Sequence, residues 1–184
     1  MQYFSGDSHI VEHADCFAGL SERYGDAAPQ IIRDYKGKPG DWYVCGPMSV
    51  PVARLGIAGN RLDDPATDKL IARGYEGLNP GVLDGDKRLE EQATDGIVGE
   101  VMYPSLNMFT WACGDTEIMN AAFQRHNDWI VHYCKNAPDR LIGIGCLPIP
   151  DVDLAIEEMT RASRLGVRGF MIPTHTPTDR PYHH

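Results

Sequence analysis

Asp7 and His9 flank Ser8 in the opening segment Tyr3-Phe4-Ser5-Gly6-Asp7-Ser8-His9. In a strand, successive side chains alternate between faces, so residues 7 and 9 point the same way and set a carboxylate beside an imidazole. Such an oxygen-plus-nitrogen pair suits zinc, manganese or iron better than calcium. The same pair also works as a hydrogen-bonded unit that only orients a loop, and spacing alone leaves both readings open. Glu12 lies just beyond and could hydrogen-bond a ligand histidine, fixing its tautomer. Its alternative is an exposed acidic residue in the first turn of whatever follows. His13 reads as solvent-facing, and Asp15 as no more than a cap.

Further along, His175 falls at the end of a predicted strand, where a neutral imidazole serves as metal ligand, general base or substrate contact. A plain loop histidine is the other reading. Arg61 follows Gly56-Ile57-Ala58-Gly59-Asn60 and could reach into a cleft to hold a substrate carboxylate with two prongs, a surface ion pair being the alternative. Those glycines do not form GxGxxG. Neither GxxxxGK[ST] nor GxSxG occurs, so nucleotide-binding and serine-esterase folds lose their main support. His126 and His132 sit in a helical pattern and read as packing or solvent-facing groups. Cys16, Cys45, Cys113, Cys134 and Cys146 are odd in number, widely spaced and without a CxxC pair. That argues against a disulfide scaffold or zinc knuckle, fits a reducing cytoplasm, and leaves none of the five marked as a nucleophile.

The elements that must position these groups follow from periodicity. Strands are expected near residues 3–8, 98–103, 141–147 and 167–173, several ending in a polar or proline-bearing loop. Between them run helical patterns. Asp86 to Asp95 is stopped by Gly96, and a longer helix runs from Asp115 to about Asn136. Another follows Asp151 or Asp153, with Leu154, Ala155, Ile156, Met159, Ala162 and Leu165 on its apolar side and Gly166 at its end. Strands alternating with helices in this way point to right-handed crossovers feeding a parallel sheet, with ligands beyond the C-terminal strand ends. Residues 11–83 are the least periodic part, rich in proline and glycine, and are expected to form an irregular insertion serving as a lid or cleft wall.

Composition narrows the partners. With 184 residues, 42% of them hydrophobic and 23% charged, the chain reads as one globular domain over 1–184. Seventeen basic against twenty-six acidic side chains give a formal charge of -9, which disfavours nucleic acid and anionic lipid surfaces. The opening residues lack a basic stretch before an apolar one, and no run approaches the roughly eighteen apolar residues of a membrane span, so a cytoplasmic location is expected.

Taken together, these stretches resemble the amidohydrolase-related family, the branch of metal-dependent amidohydrolase barrels that includes aminocarboxymuconate-semialdehyde decarboxylase and the aromatic-acid decarboxylases. The likeness is carried by Asp7-Ser8-His9-Ile10-Val11-Glu12, Ile57-Ala58-Gly59-Asn60-Arg61, Arg88 to Ile97, Val101-Met102-Tyr103-Pro104-Ser105, Ala121 to Trp129, Ala137 to Gly143 and Leu165 to Phe170. The resemblance implies an α/β fold of the (β/α) TIM-barrel type, here a half-barrel of about four parallel strands with a long insertion after the first. It makes Asp7 and His9 ligands of one divalent ion, usually zinc, with manganese as the other candidate. It also implies hydrolysis or non-oxidative decarboxylation of a small, often aromatic, carboxylic acid. The family draws a further histidine from the fifth strand and an aspartate from the last, and neither can be matched here. A shortened sequence, a partial barrel covered by another copy or by a complementary half, and some other rearrangement all fit that shortfall. The competing functional reading is a non-catalytic remnant that binds a partner chain or small ligand.

Overall fold

A computed structural model describes residues 2–57, 59–174 and 182. Its strands in chain order are β1 (Tyr3–Ile10), β2 (Gln30–Arg33), β3 (Asp41–Cys45), β4 (Met48–Pro51), β5 (Ile97–Pro104), β6 (Leu141–Gly143), β7 (Gly145–Cys146) and β8 (Phe170–Met171). The α-helices are α1 (Leu20–Tyr24), α2 (Pro65–Ala72), α3 (Pro80–Leu83), α4 (Gly85–Asp95), α5 (Thr116–Cys134) and α6 (Val152–Leu165).

β1, β5 and β6 form a parallel sheet in that order, and β7 pairs in parallel with β8. The Ile144 amide donates to the Met102 carbonyl at 2.9 Å, so β6 and β7 are two pieces of one expected strand. α4 leads into β5, α5 joins β5 to β6, and α6 joins β7 to β8. The strands therefore fall where periodicity placed them.

Local chemistry explains the helix ends. Asp115 accepts from the amides of Glu117 and Ile118 at 2.9 and 3.1 Å, and Asp151 accepts from that of Leu154 at 3.1 Å. Gly96 closes α4 with φ at 72°, a left-handed conformation that glycine adopts without a β-carbon penalty. On one sheet face Ile10, Met102 and Leu141 pack with Ile130, Tyr133 and Cys134 of α5. Gly143 permits that approach, because a β-carbon there would run into the Ile130 side chain. By alternation, Val101 and Tyr103 lie on the opposite face, where they are only half-buried.

The insertion is broken into short elements, none longer than eight residues, yet it holds one piece of regular order. β2, β3 and β4 form an antiparallel meander, and Val11, Phe17, Leu20, Tyr43, Cys45 and Val52 share one apolar core with Leu106, Ile118 and Ala122. Its strands are four or five residues long, too short to show a period between so many prolines and glycines. α6 turns otherwise than expected. It buries Ala155, Glu158 and Ala162 and leaves Ile156, Met159 and Leu165 exposed. The cause is polar: the buried Glu158 carboxylate takes hydrogen bonds from Asn127 of α5 at 2.7 Å and from Arg161 at 2.7 and 2.9 Å, which fixes the docked face. Among the described residues, no helix is long and apolar enough to cross a membrane.

Candidate metal centre at the rim of the parallel sheet

β1 reaches the rim with an irregularity. Its pairing with β5 steps from Ser5↔Glu100 to Ser8↔Met102, three residues against two, which leaves an extra residue at Gly6-Asp7. A bulge of this kind bends a strand and re-aims a side chain. Asp7 and His9 nonetheless meet, with Asp7 Oδ1 3.9 Å from His9 Nε2, and their side chains are 85% and 48% exposed. Two donors bound at about 2.1 Å to one tetrahedral ion stand about 3.4 Å apart. The pair therefore fits two positions around one ion after a small side-chain adjustment. Among the described residues, no group of three or more histidine, cysteine, aspartate or glutamate side chains is gathered to hold a metal. His175 lies outside the described residues.

Neighbours constrain His9 from two sides. It stands opposite Tyr103 in the ladder, with ring centroids 6.0 Å apart, and its Nδ1 is 3.5 Å from the Ser105 hydroxyl, at the limit of hydrogen-bond reach. It also borders a cavity of about 350 Å³ whose wall includes Leu55, Gly56 and Asn79 of the insertion along with Arg88 and Glu100.

Under this rim lies a buried ionic knot. Arg88 Nε and Nη2 donate to the two Glu100 carboxylate oxygens at 2.7 and 2.8 Å, Gln92 donates to the same carboxylate at 2.7 Å, and Arg88 also reaches the His9 carbonyl at 3.4 Å. Burial alone pushes the Glu100 carboxyl up. The hydrogen bonds and charge of Arg88, with help from Gln92 and Ser8, outweigh it and hold the carboxyl below its ordinary value.

Glu12 is not beside His9. It is fully buried, and its carboxylate accepts the backbone N–H groups of Ser105, Leu106 and Asn107 at 3.3, 2.7 and 2.9 Å. The histidine next to it is His126 of α5, with Nδ1 3.7 Å from Glu12 Oε1 and Nε2 3.0 Å from the Ile144 carbonyl. Its position is thus that of an anchor for the loop after β5, reached only because the chain turns inward after Ile10.

Burial holds the His126 ring below its ordinary pKa, with the Glu12 charge acting in opposition. The unfolded chain therefore binds the proton more readily. Stability from this site is complete above the ordinary histidine value near 6.5 and is lost as pH falls below it. His126→Asn is expected to flatten the decline in stability below about pH 6.5. Urea midpoints at several pH values check this, and an unchanged slope refutes it.

Arg61 also stands apart from the rim. It is exposed and clasps Asp63 through Nε and Nη2 at 3.0 and 2.8 Å, the surface pair that was its alternative reading. His13 accepts from the Asp15 amide at 3.3 Å and caps a 3-10 turn. The structure thus brings together Asp7 and His9, adds Tyr103 and Ser105, and leaves Glu12 and Arg61 elsewhere. Tyr103 and Ser105 were within reach of sequence reasoning, since they close the second strand as Asp7 and His9 close the first.

Parallel α/β sheets of this kind place their ligand sites beyond the C-terminal strand ends, which is where Asp7 and His9 stand. The family model described as Amidohydrolase matches residues 94–184. The chain is similar in structure to an amidohydrolase from Mycobacterium avium subsp. paratuberculosis, with TM-score 0.65 and 20% identity, covering 90% of this chain and 47% of that one. It spans about half the length of that protein and shares its fold, here as a half-barrel. A 2,6-dihydroxybenzoate decarboxylase from Rhizobium aligns at TM-score 0.45 and 25% identity, over 59% of this chain and 32% of that one. No curated protein matches the chain.

Proposed function

We propose that this chain contributes Asp7 and His9 to a divalent-metal centre for the hydrolysis or non-oxidative decarboxylation of a small carboxylic acid, aromatic acids included. The observation that carries this reading is the solvent-open carboxylate–imidazole pair, 3.9 Å apart at the rim of the parallel sheet. A bound zinc or manganese ion would supply Lewis-acid chemistry there. His9 would donate through Nε2 while Ser105 steadies its other nitrogen, and Asp7 would bring the negative charge. The half-buried Tyr103 ring offers an apolar wall to an aromatic substrate, and residues 55, 56 and 79 support a cleft-wall role for the insertion.

Catalytic zinc normally takes about three protein ligands, so the centre is completed by His175, by a second copy, or by a complementary half-barrel. The exposed Ile156, Met159 and Leu165 of α6 support such a neighbour. Protein purified without chelators is expected to carry near-stoichiometric zinc or manganese in its assembled form. The Asp7→Ala/His9→Ala double variant, altered at exposed positions, should fold normally and hold under about a tenth as much. Elemental analysis and light scattering on the same samples decide it. Metal-free wild-type protein, monomeric and assembled alike, overturns the reading and favours a chain that only binds a partner or small ligand.

A further inference from the structure

The five cysteines are not alike. Cys16, Cys45, Cys134 and Cys146 are buried, whereas Cys113 is half-exposed. Cys45 ends β3 of the insertion, and Cys113 ends the 3-10 segment Asn107–Cys113 that follows β5. The two chain segments touch. A β-carbon built on Gly46, the residue after Cys45, would lie 3.8 Å from the Cys113 α-carbon and 3.7 Å from the Ala112 carbonyl. Cys113 packs against the same apolar cluster that buries Cys45. Cys45, one residue back from Gly46, therefore ends its strand on the segment that touches Cys113.

We propose that Cys113 and Cys45 form a peroxide-responsive dithiol that closes a disulfide between the insertion and the loop beside the candidate metal centre. The Cys113 thiolate attacks one oxygen of a hydroperoxide. The O–O bond breaks, the alcohol or water leaves with a proton from solvent, and Cys113 becomes a sulfenic acid. The Cys45 sulfur, giving up its proton, then attacks Cys113 Sγ; the S–O bond breaks and water leaves. Two thiols and one hydroperoxide become one disulfide, one alcohol or water molecule, and one water molecule. The sulfurs lose two electrons and the peroxide gains them.

The electrostatics support this division of labour. A hydrogen bond from the Cys45 thiol lowers the Cys113 pKa to about 7, against burial and the neighbouring Asp115 charge, which raise it. Cys45 moves the other way, through the same hydrogen bond and through burial, with Tyr43 opposing. Cys113 is therefore the thiol ionised near neutral pH and the one within reach of solvent. The disulfide would tie β3 to a segment whose start, Ser105 to Asn107, is already held by Glu12, and so stiffen the rim around His9.

The test uses the whole chain with brief hydrogen peroxide treatment, then unfolding and alkylation. Alkylated thiols should fall from the five present to three, with the intact mass lower by two hydrogens before alkylation. Peptide mapping should show the Cys45 and Cys113 peptides joined. Cys113→Ser should keep its four remaining thiols. Without peroxide, iodoacetamide should label Cys113 of the folded protein roughly tenfold faster than the other four at neutral pH. The rate should rise through a midpoint near pH 7, shifting upward in Cys45→Ala. Five thiols surviving peroxide, a bridge between other cysteines, or Cys113 ending as sulfinic acid without a cross-link each overturn the proposal. So does Cys113 labelling no faster than its neighbours.

Discussion

Replacing Arg88 by methionine is expected to lower stability at neutral pH by about 3–5 kcal/mol, the cost of leaving a buried charge without its partner. Glu100 is 2% exposed at the side chain and Arg88 16%, so water reaches neither well enough to replace the lost contact. In the native protein the Glu100 carboxyl is held below its ordinary value, so its contribution is present above that value and is lost as acid protonates it. In the variant the burial effect is opposed mainly by Gln92, and the carboxyl moves up instead. The stability gap between the two proteins should accordingly be widest near pH 7 and narrow toward about pH 4. Glu100→Leu added to Arg88→Met should recover much of the loss, because removing both charges spares the desolvation of either. Urea unfolding at both pH values checks this. A gap that stays constant with pH, or a double variant no better than the single one, would show that the pair acts through packing alone.

Glu12→Ala is expected to cost about 4 kcal/mol, since it strips the acceptor from three buried amides that have no water to turn to. Glu12→Gln should cost roughly half as much, because one carboxamide oxygen still accepts while the new NH2 group faces donors. The loss should be felt at the rim as well. Ser105 is one of the three amides, and its hydroxyl approaches His9. Faster hydrogen exchange over residues 105–107 in both variants, ahead of exchange in the centre of α5, would mark Glu12 as the anchor of this loop. Uniform exchange, or a loss below about 1 kcal/mol, would mean that the loop is held by its apolar contacts.

The parallel strands and their helices were legible because each rests on local signals. Asp115 and Asp151 cap, Gly96 and Gly166 terminate, and apolar runs of strand length lie between them. The pairing of Asp7 with His9 was legible for a related reason, since a two-residue spacing on one strand puts both side chains on one face, and it survives the bulge. The meander at β2 to β4 was not. Its strands are short and interrupted by turn residues, and what holds them is a core shared with Leu106 and Ile118, distant in sequence.

Local order along the chain, then, was determined by the sequence itself: which residues become strand or helix, where each stops, and that a carboxylate and an imidazole leave the first strand together. Tertiary structure decided the rest. It drew Glu12 inward to three amides some ninety residues away, left Arg61 on the surface with Asp63, turned α6 by its polar knot, and brought the turn after Cys45 against Cys113. The reason is physical. Caps and periodicity act over a few residues, whereas a buried charge or thiol takes its role from whatever the fold brings to it, and that partner carries no mark in the residues on either side.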